Sequence, residues 1–205
     1  MLADAAQTYS AVFAPELFVL LCGLLVIAYE WHQSIGSSLA GLGARVGVLG
    51  LGWVVAFAIY QGVPQLVGPL PEWGPDATGS AGLGVGIALI WLVWRLREWG
   101  TVVPGFAALL VGVTVPHLLI TPFWDVSSHV LYAVAPAGYL FLVDRRFVPL
   151  VVVGLGMVVA RPLARAHTWT ESIGGLVLAS VFLIALFWTG WISTSIVDDQ
   201  SRLDR

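Results

Sequence analysis

The chain is 205 residues long, 59% hydrophobic and 10% charged, with a mean hydropathy of +0.91. A soluble domain is about 25% charged, so this composition excludes a water-soluble globule and indicates a polytopic membrane protein. Twelve acids against nine bases give a net charge of −3, which excludes the basic face of a nucleic-acid binder. Cys22 is the single cysteine, so no intramolecular disulfide can form, and every base is arginine, with no lysine anywhere.

A membrane-crossing helix needs about 20 mostly apolar residues. Such runs cover 11–30, 39–62, 81–98, 102–120, 127–143, 147–165 and 171–193. They predict an all-α bundle of about seven transmembrane helices, forming one integral membrane domain over residues 1–205. The N-terminal segment carries Asp4 and Glu16 and no base. A secretory leader begins positively charged, so the first run reads as a span and not as a cleaved signal. The second run contains Gly43 and Gly47, and the third Gly82 and Gly86. Small residues four apart let helices approach closely, within the chain or in a homo-oligomer. Between these runs, 63–80 holds four prolines with Gly, Asp and Ser, and reads as a surface loop. The fifth and sixth runs are joined only by Asp144-Arg145-Arg146, which predicts a tight antiparallel hairpin. No segment alternates with period two over strand lengths, which disfavours a β-barrel.

Arginine placement predicts the orientation. With seven spans, Arg45, Arg95, Arg97, Arg145, Arg146, Arg202 and Arg205 fall on one side, so seven of the nine arginines mark the inside. The C-terminus is then inside, the N-terminus outside, and the cell membrane is the expected location. Trp31 and Trp99 fall at inner boundaries, Trp73, Trp124 and Trp169 at outer ones, and Trp188 and Trp191 near the inner end of the last span. That is the usual aromatic belt. Arg161 and Arg165 break the rule by lying at the outer end of the sixth run. They either snorkel to the headgroups or hold an anion.

Three histidines map to the same outer side: His117, His129 and His167. Asp125 precedes His129 by four residues and Glu171 follows His167 by four, a spacing that puts each pair on one helical face. A carboxylate so placed fixes an imidazole's tautomer and stabilises its protonated form. Capping offers another role for the acids: Asp125 as an N-cap of the fifth span, and Thr168 with Glu171 as a T-x-x-E capping box. Capping accounts for neither the histidines nor the two outer arginines.

Arg161-x5-His167-x3-Glu171 resembles the third signature, S-R-x5-H-x3-D, of the type-2 phosphatidic-acid phosphatase superfamily. Val126-Ser127-Ser128-His129 resembles its second signature, P-S-G-H. Asp125-Val-Ser-Ser-His129 and His167-Thr-Trp-Thr-Glu171 are similar to D-[IV]-S-G-H and H-T-x-x-E of the fat-storage-inducing transmembrane branch. The resemblance covers 102–193. Ala160, Glu171, Val126 and Ser128 depart from the signatures, and the first signature, K-x6-R-P, is missing: 117–124 has no arginine or lysine.

The resemblance implies a membrane phosphatase acting on a lipid phosphate or diphosphate ester. In that scheme His167 is the nucleophile that takes the phosphoryl group, oriented by Glu171. His129, tuned by Asp125, protonates the leaving oxygen. Arg161 and Arg165, with Ser127 and Ser128, bind the phosphoryl oxygens. The scheme needs no metal and no cofactor. Two imidazoles and two carboxylates also suit Zn, Mn or Fe, although the neighbouring arginines oppose a cation. The absent lysine favours a second reading, a catalytically inactive relative serving as a membrane assembly or binding subunit. A transporter is disfavoured, because the chain shows no inverted repeats and no charge at a span centre.

Overall fold

The computed structural model describes residues 1–34 and 38–189. Within them lie eight α-helices: α1 (Leu2–Val12), α2 (Pro15–Gln33), α3 (Leu39–Val67), α4 (Gly74–Arg97), α5 (Val102–Ile120), α6 (Ser128–Val143), α7 (Val148–Leu163) and α8 (Trp169–Trp188). A single 3-10 turn, Arg145–Phe147, links α6 to α7. Trp191, Arg202, Arg205 and the end of the last predicted run lie outside the described residues.

Over the described residues each hydrophobic run is mostly helical, and six helices are long and apolar enough to cross a membrane: α2, α3, α4, α5, α7 with its preceding turn, and α8. The chain is a multi-pass helical membrane protein. α6 has only 16 residues. It packs against α2, α5, α7 and α8 and buries nearly its whole length. A helix sheathed by protein has no need to match the bilayer thickness, which explains how so short a segment sits at the centre.

Two boundaries differ from the sequence reading. The predicted loop 63–80 is mostly helix, since α3 runs on to Val67 and α4 begins at Gly74. Pro64 lies in the last turn of α3, and Pro75 sits in the first turn of α4, where its missing N–H costs nothing. The first run is also broken, with α1 ending at Val12 and α2 starting at Pro15. α1 lies on α7, where the Tyr9 hydroxyl donates to the Val153 carbonyl at 2.7 Å.

The α3–α4 pair makes the closest helix contact. A side chain at Gly82 or Gly86 would strike the α3 backbone at Ala56 or Gly52, so these glycines let the two backbones touch. Gly43 and Gly47, in contrast, face open space.

Short connections make the long helices alternate in direction, so the bundle has two polar ends. At one end α3 and α5 begin and α2, α4 and α6 finish. There the buried Glu30 carboxylate accepts from the Trp94 indole N–H at 2.6 Å and from the Val102 and Val103 amides at 2.6 and 3.2 Å. The two amides are orphan donors of the α5 N-terminus. Gly100, at φ 144°, lies against the Glu30 carboxyl where any side chain would collide. Arg45 donates to the Trp99 carbonyl at 3.3 Å and lies 5.1 Å from the centre of that indole. Arg95, Arg97, Arg145 and Arg146 share this end through the termini they occupy. At the opposite end α2, α4, α6 and α8 begin, and every candidate site residue lies there.

Candidate functional site

The loop 121–127 between α5 and α6 carries Asp125 and is tied down from two sides. The His117 ring, fully buried in the last turn of α5, bonds the Val126 carbonyl through Nε2 at 3.1 Å. A carbonyl can only accept, so Nε2 carries the proton and Nδ1 accepts from the Ser80 hydroxyl 3.2 Å away on α4. From the other side, the Ser127 amide donates to the Glu171 carbonyl at 3.2 Å. Gly175 allows this approach, because a Cβ there would meet the Ser127 carbonyl at 2.8 Å. The loop is thus clamped between α5 and the first turn of α8.

This clamp sets the geometry of His167, whose side chain is 4% exposed. Its Nδ1 lies 3.4 Å from Asp125 Oδ2 and 3.4 Å from Glu171 Oε2. These are ion-pair distances, and neither oxygen is aligned for a hydrogen bond, so Nδ1 has no hydrogen-bonding partner among the described residues. Glu171 also closes the capping box: Oε2 accepts from the Thr168 amide at 2.7 Å, and the Glu171 amide donates to Thr168 Oγ1 at 3.3 Å. Both readings of Glu171, as cap and as histidine partner, therefore hold in one side chain.

Asp125 departs from its expected place. It neither caps α6 nor pairs with His129. Ser127 is the N-cap, accepting from the Val130 amide at 3.4 Å. Helix α6 starts at Ser128, so the four-residue spacing from Asp125 to His129 does not run along a helix, and Asp125 turns to His167 instead. Partial burial pushes the Asp125 carboxyl above its ordinary value; nearby His167 opposes this, and Asp76 and Glu171 add to it.

His129 and Arg161 complete the group. His129 lies within electrostatic reach of both Arg161 and His167, and Arg161 within reach of Asp125 and Asp76. His129 Nδ1 and Arg161 Nε are buried without hydrogen-bonding partners among the described residues. Ser128 and His129 also line a cavity of about 300 Å3 between α2, α3, α4 and α6.

Two expected phosphate binders have other surroundings. Arg165 sits past the end of α7 in the left-handed region, φ 58°, and its exposed guanidinium makes no contact with the site among the described residues. The Ser127 hydroxyl and amide are both engaged, one as the α6 cap and one with the Glu171 carbonyl.

Several residues of this end escape a sequence reading. Asp76 and Ser80 lie in the first two turns of α4, within the stretch that reads as loop. Tyr132, buried on α6, shares a hydrogen bond of 2.8 Å with Thr114 on α5. A faint signal exists: Asp76 and Ser80 are four apart, and Thr114 precedes His117 by three. Only the fold brings the two pairs together.

Chemically, a histidine with two carboxylates on Nδ1 leaves Nε2 as its basic nitrogen, and the nearby arginine supplies fixed positive charge. Asp125, His167 and Glu171 also offer one ligand atom each within 4.8 Å of one another, a spacing that suits a metal ion. The Thr168 amide already occupies one Glu171 oxygen, and Arg161 stands close by. No family model, curated protein or solved structure matches the chain.

Proposed function

We propose that the chain is a phosphatase-like membrane hydrolase acting on a lipid phosphate or diphosphate ester. It would cross the cell membrane seven times, N-terminus outside and C-terminus inside, with its site at the outer face. The separation of Arg45, Arg95, Arg97, Arg145 and Arg146 from Arg161 and Arg165, at opposite bundle ends, supports that orientation.

The observation that carries the reading is His167, with Asp125 and Glu171 each 3.4 Å from its Nδ1 and His129 within electrostatic reach of both His167 and Arg161. With Nδ1–H facing the carboxylates, Nε2 attacks phosphorus as the phosphorus–oxygen ester bond breaks. His129, which takes up a proton when the anionic phosphoryl group binds beside it, gives that proton to the departing alcohol oxygen. Arg161 neutralises the phosphoryl oxygens. Neutral His129 then takes a proton from water, whose oxygen attacks the phosphohistidine, and phosphate leaves with His167 restored.

The exposed Arg165 past the end of α7 and the fully buried Ser127, whose amide is taken by the Glu171 carbonyl, favour a second reading, an inactive relative that binds without turning over. Phosphate release from phosphatidic acid or a prenyl diphosphate separates the two. Hydrolysis by the wild type that His167→Ala abolishes supports the enzyme, and equal background in both favours the binding subunit.

A further inference from the structure

The cavity beside His129 is chemically unlike a phosphate site. Its lining includes the carboxylates of Glu16, at the start of α2, and Asp76, at the start of α4, and no arginine. The wall from α3 is aromatic: Trp53, Phe57 and Tyr60 follow one another at helical spacing along it. Carboxylates repel a phosphate. Together with aromatic faces they suit one kind of guest, an organic ammonium, which gains from ring quadrupoles and opposite charge at once. Phe57 and Tyr60 are also partly exposed on the outside of the bundle, at 47% and 38%, so the aromatic wall reaches the lipid-facing surface.

His129 belongs to both regions, lining the cavity and lying within electrostatic reach of Arg161 and His167. Negative and positive subsites therefore adjoin at one residue. We propose that the cavity receives the ammonium end of a zwitterionic phospholipid, whose phosphate then lies at His129 on the Arg161–His167 side. This rests on the phosphoryl-site reading and adds a substrate class to it: a phosphodiester carrying its own cation a few bonds from phosphorus, from which the proposed cleavage releases an alcohol and leaves a phosphate monoester. It also supplies a reason for the cavity's acids, which a purely anionic lipid phosphate would meet as repulsion.

Native mass spectrometry of the purified full chain tests this, using phosphatidylcholine and phosphatidylglycerol of matched chains in competition. The wild type is expected to retain phosphatidylcholine over phosphatidylglycerol by at least about fivefold. Asp76→Asn and Tyr60→Leu should each bring the ratio close to one, while Tyr60→Phe, which keeps the ring, should preserve it. Glu16→Gln, at an exposed helix start, provides a second charge variant with little bearing on folding, and should lower the ratio. Equal retention or a phosphatidylglycerol preference in the wild type overturns the proposal, as does an unchanged ratio in both charge variants. A chain that selects phosphatidylcholine but cleaves no phosphate monoester, diester or diphosphate loses the hydrolase reading and keeps this one.

Discussion

Glu171 Oε2 lies 3.4 Å from His167 Nδ1 while the same oxygen accepts the Thr168 amide at 2.7 Å. The helix cap and the histidine contact thus share one carboxylate oxygen. Helix α8 can begin only where Glu171 turns back, and that turn brings the carboxylate to the imidazole. The capping box is the positioning device of the site.

The two functions of Glu171 are separable by charge. Glu171→Gln keeps an oxygen for the Thr168 amide and removes the negative charge beside His167. It should shift the melting temperature of the detergent-solubilised protein by only a few degrees, while phosphate release falls by about 10- to 100-fold. Thr168→Ala should do the reverse, costing about 1 kcal/mol in unfolding assays with a smaller effect on rate.

The charge around Asp125 sets a pH signature. Its folded value is raised, so the fold favours the neutral acid, and ionising it opposes folding. The contribution is neutral at pH below the ordinary carboxylate value of about 3.9 and becomes unfavourable as pH rises from there through the raised value. Carboxyl infrared difference spectra should therefore show Asp125 titrating above the ordinary range. Asp76→Asn and Glu171→Gln should each lower its midpoint, and His167→Gln should raise it. A midpoint indifferent to all three substitutions would contradict the geometry.

At the opposite end, Glu30 satisfies three donors that have no other hydrogen-bonding partner among the described residues. Glu30→Ala should destabilise the protein by about 3 kcal/mol or more, and Trp94→Phe by about 1–2 kcal/mol, since charged hydrogen bonds are the costly ones to lose. Equilibrium unfolding in mixed micelles measures both.

The two glycine pairs should behave oppositely. Gly86→Ala puts a methyl group into the α3 backbone and should cost about 1–3 kcal/mol. Gly47→Ala enters open space and should be neutral or stabilising by up to about 1 kcal/mol. The same unfolding assay compares them.

Hydrophobic run length was enough to find the long helices, because the bilayer requirement imposes a strong period-free signal on each segment. The prolines, Gly, Asp and Ser of 63–80 suggest a longer break than exists: Pro75 lies in a first turn, where helices tolerate proline, and α3 carries Pro64 within its last turn before ending at Val67. At the site, the Thr168–Glu171–His167 turn was legible because it is local. The Asp125–His167 contact was not, since it depends on where α6 starts and on how His117 and the Glu171 carbonyl hold the loop. Asp76, Ser80, Tyr132 and Glu30 are hidden for the same reason: their partners lie on other helices, 18 or more residues away, and one chain carries no pattern that joins them.

The Glu30 cluster also bears on how the chain is made. Glu30 leaves the ribosome 64 residues before Trp94 and 72 before Val102. None of the three donors that its carboxylate accepts from precedes Trp94, so this end of the bundle can close only once α2, α4 and the start of α5 are all present.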